Sequence, residues 1–236
     1  MTEIIYLKNS YAKECEATIT KVERKFIITD KTVFYPQGGG QPTDTGKIVN
    51  VESNKKYRVI FAKKIGEDVS HEVDSEGLKE GDKVKIVLDW ERRHNLMRMH
   101  TSAHILAGVI HNEIGALITG NQLDLEQSRM DFNVPEFDKE LLKSFEEKSN
   151  EIIKQDLQIT VSFEERETAL KRPELFRLKD VLPKNIPELR IISIGNFDVQ
   201  ADGGTHVKST KEIGKMKITN FKNKGAENRR IYWKLE

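Results

Sequence analysis

An α+β protein is predicted by the way strand and helix signals segregate along the chain. Residues 1–88 carry short β-branched runs between turns, a long helical period takes over at Asp89, and strand signals return after residue 157. At 236 residues the chain exceeds the usual single-domain size, and a boundary is expected at residue 88/89, giving parts 1–88 and 89–236.

In the first part, "EATITKV" (16–22) and "KFIITD" (25–30) read as strands with Asp30-Lys31 as a turn signal. "YRVIFAKK" (57–64) and "DKVKIVLD" (82–89) repeat the pattern, separated by Gly66, Gly77 and Gly81. Several short strands at this spacing predict a small barrel or sandwich. The segment 89–115 then places Leu96, Ala103, Ala107, Ile110 and Ile114 on one helical stripe, with Asp89 as N-cap and Gly115 as stop. A second amphipathic helix is expected in 136–156, a strand in 157–163 and a short helix in 164–171. Pro173, Pro183 and Pro187 punctuate a connection to the apolar strand "LRIISIG" (189–195), and 207–236 reads as strands with basic faces.

Composition narrows the class. The chain is 37% hydrophobic and 33% charged, which suits a soluble globular protein with a real core. No apolar run approaches the ~18 residues of a membrane span, so no membrane partner is expected. The N-terminus has no basic segment followed by an apolar core, so no signal peptide is expected. A single cysteine, Cys15, excludes an intramolecular disulfide framework and fits a reducing, cytoplasmic setting.

The chemistry begins at "HTSAH" (100–104). On a helix His100 and His104 lie on one face, one turn apart, at the border of the apolar stripe. Such a pair can ligate one ion, yet it is also what two ordinary packed histidines look like. Thr101 stands where a zinc protease has its glutamate, which disfavours that class. His111 falls on the same flank but ~10 Å further along at 1.5 Å per residue, so it cannot share the ion. A second motif, "DGGTH" (202–206), offers an oxygen ligand, a hydroxyl and a third imidazole around two glycines that permit sharp turns or close approach. Alone it is a Gly-Gly turn with a histidine; beside HTSAH it supplies the nitrogen and oxygen donors zinc favours.

HxxxH followed about a hundred residues later by Gly-Gly-Thr-His resembles the editing domain of alanyl-tRNA synthetase, and still more the freestanding alanyl-tRNA editing proteins. "TVFYPQGGGQPTDTG" (32–46) is similar to that family's glycine-rich motif. "RMDF" (129–132) resembles its Arg-x-Asp-Phe strand, and "EIG" (212–214) with "GAENRRI" (225–231) its closing strands. The resemblance implies a β-barrel-like domain over 1–88. It implies an α+β editing domain over 89–236, with the HxxxH helix against an antiparallel sheet. It carries one zinc ion onto His100, His104 and His206, the residues through which catalysis would run. The family's usual fourth ligand is a cysteine, and its position here is Asp202, which either ligates the metal directly or holds a metal-bound water. The implied reaction is hydrolysis of serine or glycine from mischarged alanine tRNA, in the cytoplasm and with no protein partner deducible.

Separating serine from alanine requires a polar group that recognises the extra hydroxyl, because a contact pocket rejects a smaller side chain weakly. The family commonly has a threonine just before the second histidine, where this chain has Ala103. Thr101, Asn121 and Thr205 are the candidate substrate-binding residues, with Ser102 nearby. Between residues 208 and 230 eight Lys or Arg face two Glu, an excess of six positive charges under a net charge of only +1. Lys208, Lys211, Arg229 and Arg230 are the candidate tRNA contacts. Tyr232 and Trp233 either stack on an unpaired base or pack in the core. Gly38-Gly39-Gly40 lacks the spacing of a nucleotide fingerprint and is expected to form a structural turn.

Overall fold

The computed structural model describes residues 1–134, 136, 138–178, 186–225 and 228–236. Pro183, with Ala226 and Glu227 of the expected closing strand, lies outside the described residues. The chain divides into two compact units, Met1–Leu96 and Met97–Glu236.

The first unit contains β1 (Glu3–Ile4), β2 (Glu14–Glu23), β3 (Phe26–Thr29), β4 (Lys31–Thr32), β5 (Gly46–Asn50), β6 (Lys56–Ile65), β7 (Asp68–Val73) and β8 (Lys83–Leu88). Strands β2-β3-β7-β6-β5-β8 close into a barrel, sealed where β8 pairs antiparallel with β2 from Glu14↔Val87 to Thr18↔Lys83. Of the two expected shapes, the barrel is therefore the one adopted. The reversal between β2 and β3 falls at Arg24, whose φ is +54°, and the expected turn after β3 is a bend at Asp30, with Lys31 already in β4. Alternate residues point inward, so Ile19, Ile27, Val59, Val84 and Ile86 fill the barrel. Inside it, buried His71 accepts the Thr32 hydroxyl at Nε2 (2.8 Å) and donates from Nδ1 to the Ile27 carbonyl (3.1 Å).

The triple glycine forms a self-contained turn. Gly38 and Gln41 exchange backbone hydrogen bonds, Tyr35 Oη donates to the Gly38 carbonyl, and Gly39 and Gly40 take φ of +56° and +86°, which L side chains resist. Downstream, the buried Arg93 guanidinium binds the Asp44 carboxylate and the Val33 and Ser10 carbonyls, pinning both ends of this loop.

Helix α1 (Trp90–Ile114) starts where Asp89 Oδ1 accepts the Arg92 N–H and ends at Gly115, φ +69°. Leu96, Ala103, Ala107 and Ile110 are buried as expected, whereas Ile114, at the fraying end before the glycine, is exposed. The helix is buried on nearly all sides from Leu96 to Ile110, so its faces are not simply apolar and polar.

The second unit continues with β9 (Ile118–Gln122), β10 (Ser128–Phe132), α2 (Lys139–Lys154), β11 (Ile159–Glu165), α3 (Arg166–Ala169), β12 (Glu188–Ile194), β13 (Asp198–Ala201), β14 (Met216–Asn223) and β15 (Arg229–Leu235). It holds two antiparallel sheets, ordered β14-β15-β10-β9 and β11-β12-β13. Trp233, fully buried on β15, donates its indole N–H to Ser102 Oγ on α1 at 2.9 Å, which docks the first sheet on the helix. Asp138 caps α2 through its bond to the Leu141 N–H, and Asn150 locks α2 to the Met216 backbone with two bonds. The expected strand at "EIG" is instead a 3₁₀ turn over Thr210–Ile213, ended by Gly214 at φ +83°. Ser209 makes a single antiparallel bridge with Gln158 and then caps that turn through the Lys211 N–H, so the pairing goes no further. No helix of the described residues is long and apolar enough to cross a membrane.

Candidate metal centre

His100 and His104 are buried, on consecutive turns of α1, with ring centroids 5.2 Å apart. His206 stands 4.5 Å from the first ring and 4.7 Å from the second. It is delivered by the loop after β13. Asp202 completes the group, with one ligand atom from each of the four residues lying within 4.8 Å of the others. Four ligands at about 2.0–2.2 Å around one ion would be separated by about 3.3–3.6 Å in a tetrahedron, so a contraction on the order of 1 Å would close the group on one ion.

The loop reaches this position because its glycine allows it. A Cβ at Gly204 would fall inside the His100 imidazole, far closer than side chains tolerate, so only glycine lets the ring lie against the backbone. Arg190, buried on β12, donates from Nη1 to the Asp202 carbonyl at 3.0 Å and to the Gly204 carbonyl at 2.8 Å, holding the turn from below. The Asp202 carboxylate accepts the Gly204 N–H at 2.6 Å through Oδ2. That same oxygen is 2.9 Å from His206 Nε2, while Oδ1 is 3.6 Å from His100 Nε2.

The hydrogen bonds specify which nitrogen of His206 is presented. Thr101 Oγ is 2.9 Å from the Met97 carbonyl, which can only accept, so the hydroxyl proton points there. The Val207 N–H donates to the same oxygen at 3.3 Å, and His206 Nδ1, at 3.1 Å, supplies a further N–H. With the proton on Nδ1, His206 Nε2 turns its lone pair towards Asp202 Oδ2, 2.9 Å away, and two acceptors so placed call for a cation beside them. A divalent metal meets that demand, and the three-nitrogen, one-oxygen donor set suits it.

Protonation states agree with this. Burial pushes the His100 pKa down to about 4, partly countered by Asp202, and burial with the neighbouring imidazoles takes His206 well below its ordinary value. Burial acts against the Asp202 carboxylate, but His100, His206 and His104 outweigh it and hold the group well below the usual carboxylate range. Each of these groups thus loses its proton readily, which leaves it in the form that binds a cation. Asp202 keeps 22% of its side chain exposed against 2–8% for the three histidines, so the centre opens to solvent on the aspartate side.

The other candidates fall in different places. Thr101 is fully buried and spends its hydroxyl on His206 and Met97, which makes it a support for the ligand. Thr205 is fully buried in the same loop. Asn121 opposes buried Met130 in the β9–β10 register, so it projects to the sheet face that also carries Trp233, towards α1. His111 donates from Nδ1 to the Ala116 carbonyl at the end of α1 and is not in the metal group. Lys208 and Lys211 are exposed just beyond the loop. Arg229 bonds Asn223 at 2.8 Å, and Arg230 makes a two-pronged pair with Asp131 at 2.6 and 2.8 Å. Tyr232 lies on the outer sheet face with Lys222 Nζ 5.5 Å from its ring centroid, whereas Trp233 belongs to the core. Cys15 sits in a barrel strand, its thiol pushed up to about 11 by burial, and is outside the metal group. Sequence reasoning missed Arg190, although a single arginine inside the apolar run "LRIISI" is the kind of signal that marks a buried, bonded cation.

Two family descriptions match: "tRNA synthetases class II (A)" over residues 2–92 and "Threonyl and Alanyl tRNA synthetase second additional domain" over residues 189–232. An "Alanyl-tRNA editing protein AlaX-M" of Methanosarcina barkeri is 46% identical, covering 100% of this chain and 99% of the relative. The chain belongs to the alanyl-tRNA editing protein family. Another member named AlaX-M, from Saccharolobus solfataricus, is 42% identical with both chains covered at 100%. An alanine–tRNA ligase of Pyrococcus abyssi is 36% identical over 92% of this chain but only 24% of the ligase, so the family corresponds to one part of that larger protein.

Proposed function

We propose that this chain is a trans-acting editor that hydrolyses the ester between serine, or glycine, and alanine tRNA at a single zinc ion held by His100, His104, Asp202 and His206. The observation that carries the reading is the convergence of these four side chains from a helix and a distant loop. Relatives named as alanyl-tRNA editing proteins, at 41–46% identity over the whole chain, support the substrate.

Zinc, when bound, supplies Lewis acidity to the ester carbonyl or to an attacking water. The protein supplies everything that places it. Thr101 fixes the His206 tautomer, Arg190 holds the loop carbonyls, and Gly204 lets the loop approach His100. The partly exposed Asp202 side is where an aminoacyl ester would enter. Residues 89–236 would carry this chemistry, and 1–88 would form the accessory barrel. Lys208 and Lys211 flank the loop as candidate contacts for the tRNA backbone, with Arg229 and Arg230 further away. The single cysteine fits work in the cytoplasm.

The test is incubation with Ser-, Gly- and Ala-charged alanine tRNA, with and without a chelator. Loss of serine with sparing of alanine, abolished by chelation, is expected. Retention of tRNA with every ester intact would contradict hydrolysis and leave a binding protein.

A further inference from the structure

His104 presents an unexplained feature. Its Nδ1 is buried and has no hydrogen-bond partner among the described residues. The acceptor facing it is Asp198 Oδ2, 4.0 Å away, on the first residue of β13. Asp198 is itself almost wholly buried, an expensive place for a carboxylate without a purpose. Arg177 Nη2 donates to its Oδ1 at 3.3 Å, and Gln200 Nε2 donates to Oδ2 at 2.6 Å. These two side chains clamp the carboxylate from different segments. The helix is shaped for its approach: Gly108 lies one turn beyond His104, and a Cβ there would sit 2.9 Å from the Phe197 ring and 3.5 Å from Asp198 Cγ. Any larger residue would push the β12–β13 turn away from α1.

We propose that Asp198 is a positioning residue for His104, accepting its Nδ1–H and so directing Nε2 to the metal. The proposal rests on the metal reading above. A ligand histidine that offers Nε2 to an ion carries its proton on Nδ1, and that proton needs an acceptor. Asp198 is the acceptor in place. Closing 4.0 Å to a charge-assisted bond of about 2.7–2.9 Å takes on the order of 1 Å of movement, which a ring rotation supplies. Arg177 and Gln200 keep the carboxylate from swinging away. Loss of such a partner typically weakens metal affinity by about 10–100-fold.

The experiment titrates zinc into the full chain against a competing chelator, comparing wild type with Asp198→Asn, which keeps the volume. The variant is expected to bind one zinc about 10–100-fold more weakly, with an altered visible spectrum when cobalt(II) replaces zinc. Nitrogen-15 imidazole NMR of the zinc-loaded wild type, which does not depend on the variant folding, is expected to show His104 protonated at Nδ1 and metal-shifted at Nε2. Equal zinc affinity in the variant, or ligation of His104 through Nδ1, would overturn the proposal. A wild-type chain that takes up no zinc would overturn the metal reading itself, and the wild-type titration alone distinguishes that case.

Discussion

Replacing Gly204 with alanine is the smallest change that should dismantle the metal centre. Gly204 has an ordinary φ, so the substitution adds no backbone strain and its effect is purely one of space. The new Cβ would lie well under 3.0 Å from His100 Cε1 and Nδ1 and 3.1 Å from Asp202 Oδ2. To regain van der Waals separation the imidazole must retreat by on the order of 1 Å. Metal ligands tolerate about ±0.2 Å, so His100 ceases to bind, and a 1 Å misplacement alone costs roughly 100-fold in rate. The loop cannot retreat instead without breaking the Arg190 bonds to the Asp202 and Gly204 carbonyls. Gly204→Ala should therefore lower zinc affinity and serine release by at least about 100-fold, while overpacking costs only about 1–3 kcal/mol of stability. The assay pairs chelator competition with deacylation of Ser-charged alanine tRNA and a thermal melt. A folded Gly204→Ala protein with wild-type zinc affinity and activity would refute the reasoning.

His104→Ala should remove zinc and hydrolysis yet leave tRNA affinity within about 2-fold, measured by filter binding, since phosphate contacts supply most of that affinity. His71, buried in the barrel and depressed to about 4, binds its proton only in the unfolded chain between pH 6.5 and about 4. Its contribution is thus intact above pH 6.5 and lost as pH falls through that window, by up to ~3 kcal/mol, and His71→Gln should shrink the difference between urea melts at pH 7 and 4.5 by that share, leaving the parts due to His100 and His206. Lys208→Ala should reduce the salt dependence of tRNA binding by about one phosphate contact. Arg230→Ala should instead cost about 1–3 kcal/mol of stability by leaving the buried Asp131 carboxylate with only the longer 3.5 Å contact to Arg129, and an unchanged melt would contradict that.

The legible parts of the fold were those written locally. The helix bearing HTSAH, capped by Asp89 and stopped by Gly115, follows from its spacing, and the strands around residues 16–22, 57–64 and 189–195 follow from their β-branched runs. Strands β5 and β7 were missed because Gly46–Asn50 is short and "DVSHEV" interleaves polar residues that the barrel buries, His71 and Ser70 among them. The 3₁₀ turn at 210–213 hid behind the expectation of a closing strand, since a local Ser cap competes with the ladder. At the site, ligand types and order could be read from two motifs. Their supports could not: Thr101 reaches across 105 residues to His206, and Arg190 holds the loop through backbone carbonyls, contacts that only the folded chain creates.

The most direct measurement is zinc K-edge absorption on the purified protein, with elemental analysis of the same sample. One zinc per chain is predicted, with nitrogen and oxygen neighbours at about 2.0–2.2 Å and no sulfur near about 2.3 Å, and with an imidazole scattering signal that weakens in His206→Ala. A sulfur neighbour, or a zinc environment unchanged in His206→Ala, would contradict a centre built from His100, His104, Asp202 and His206.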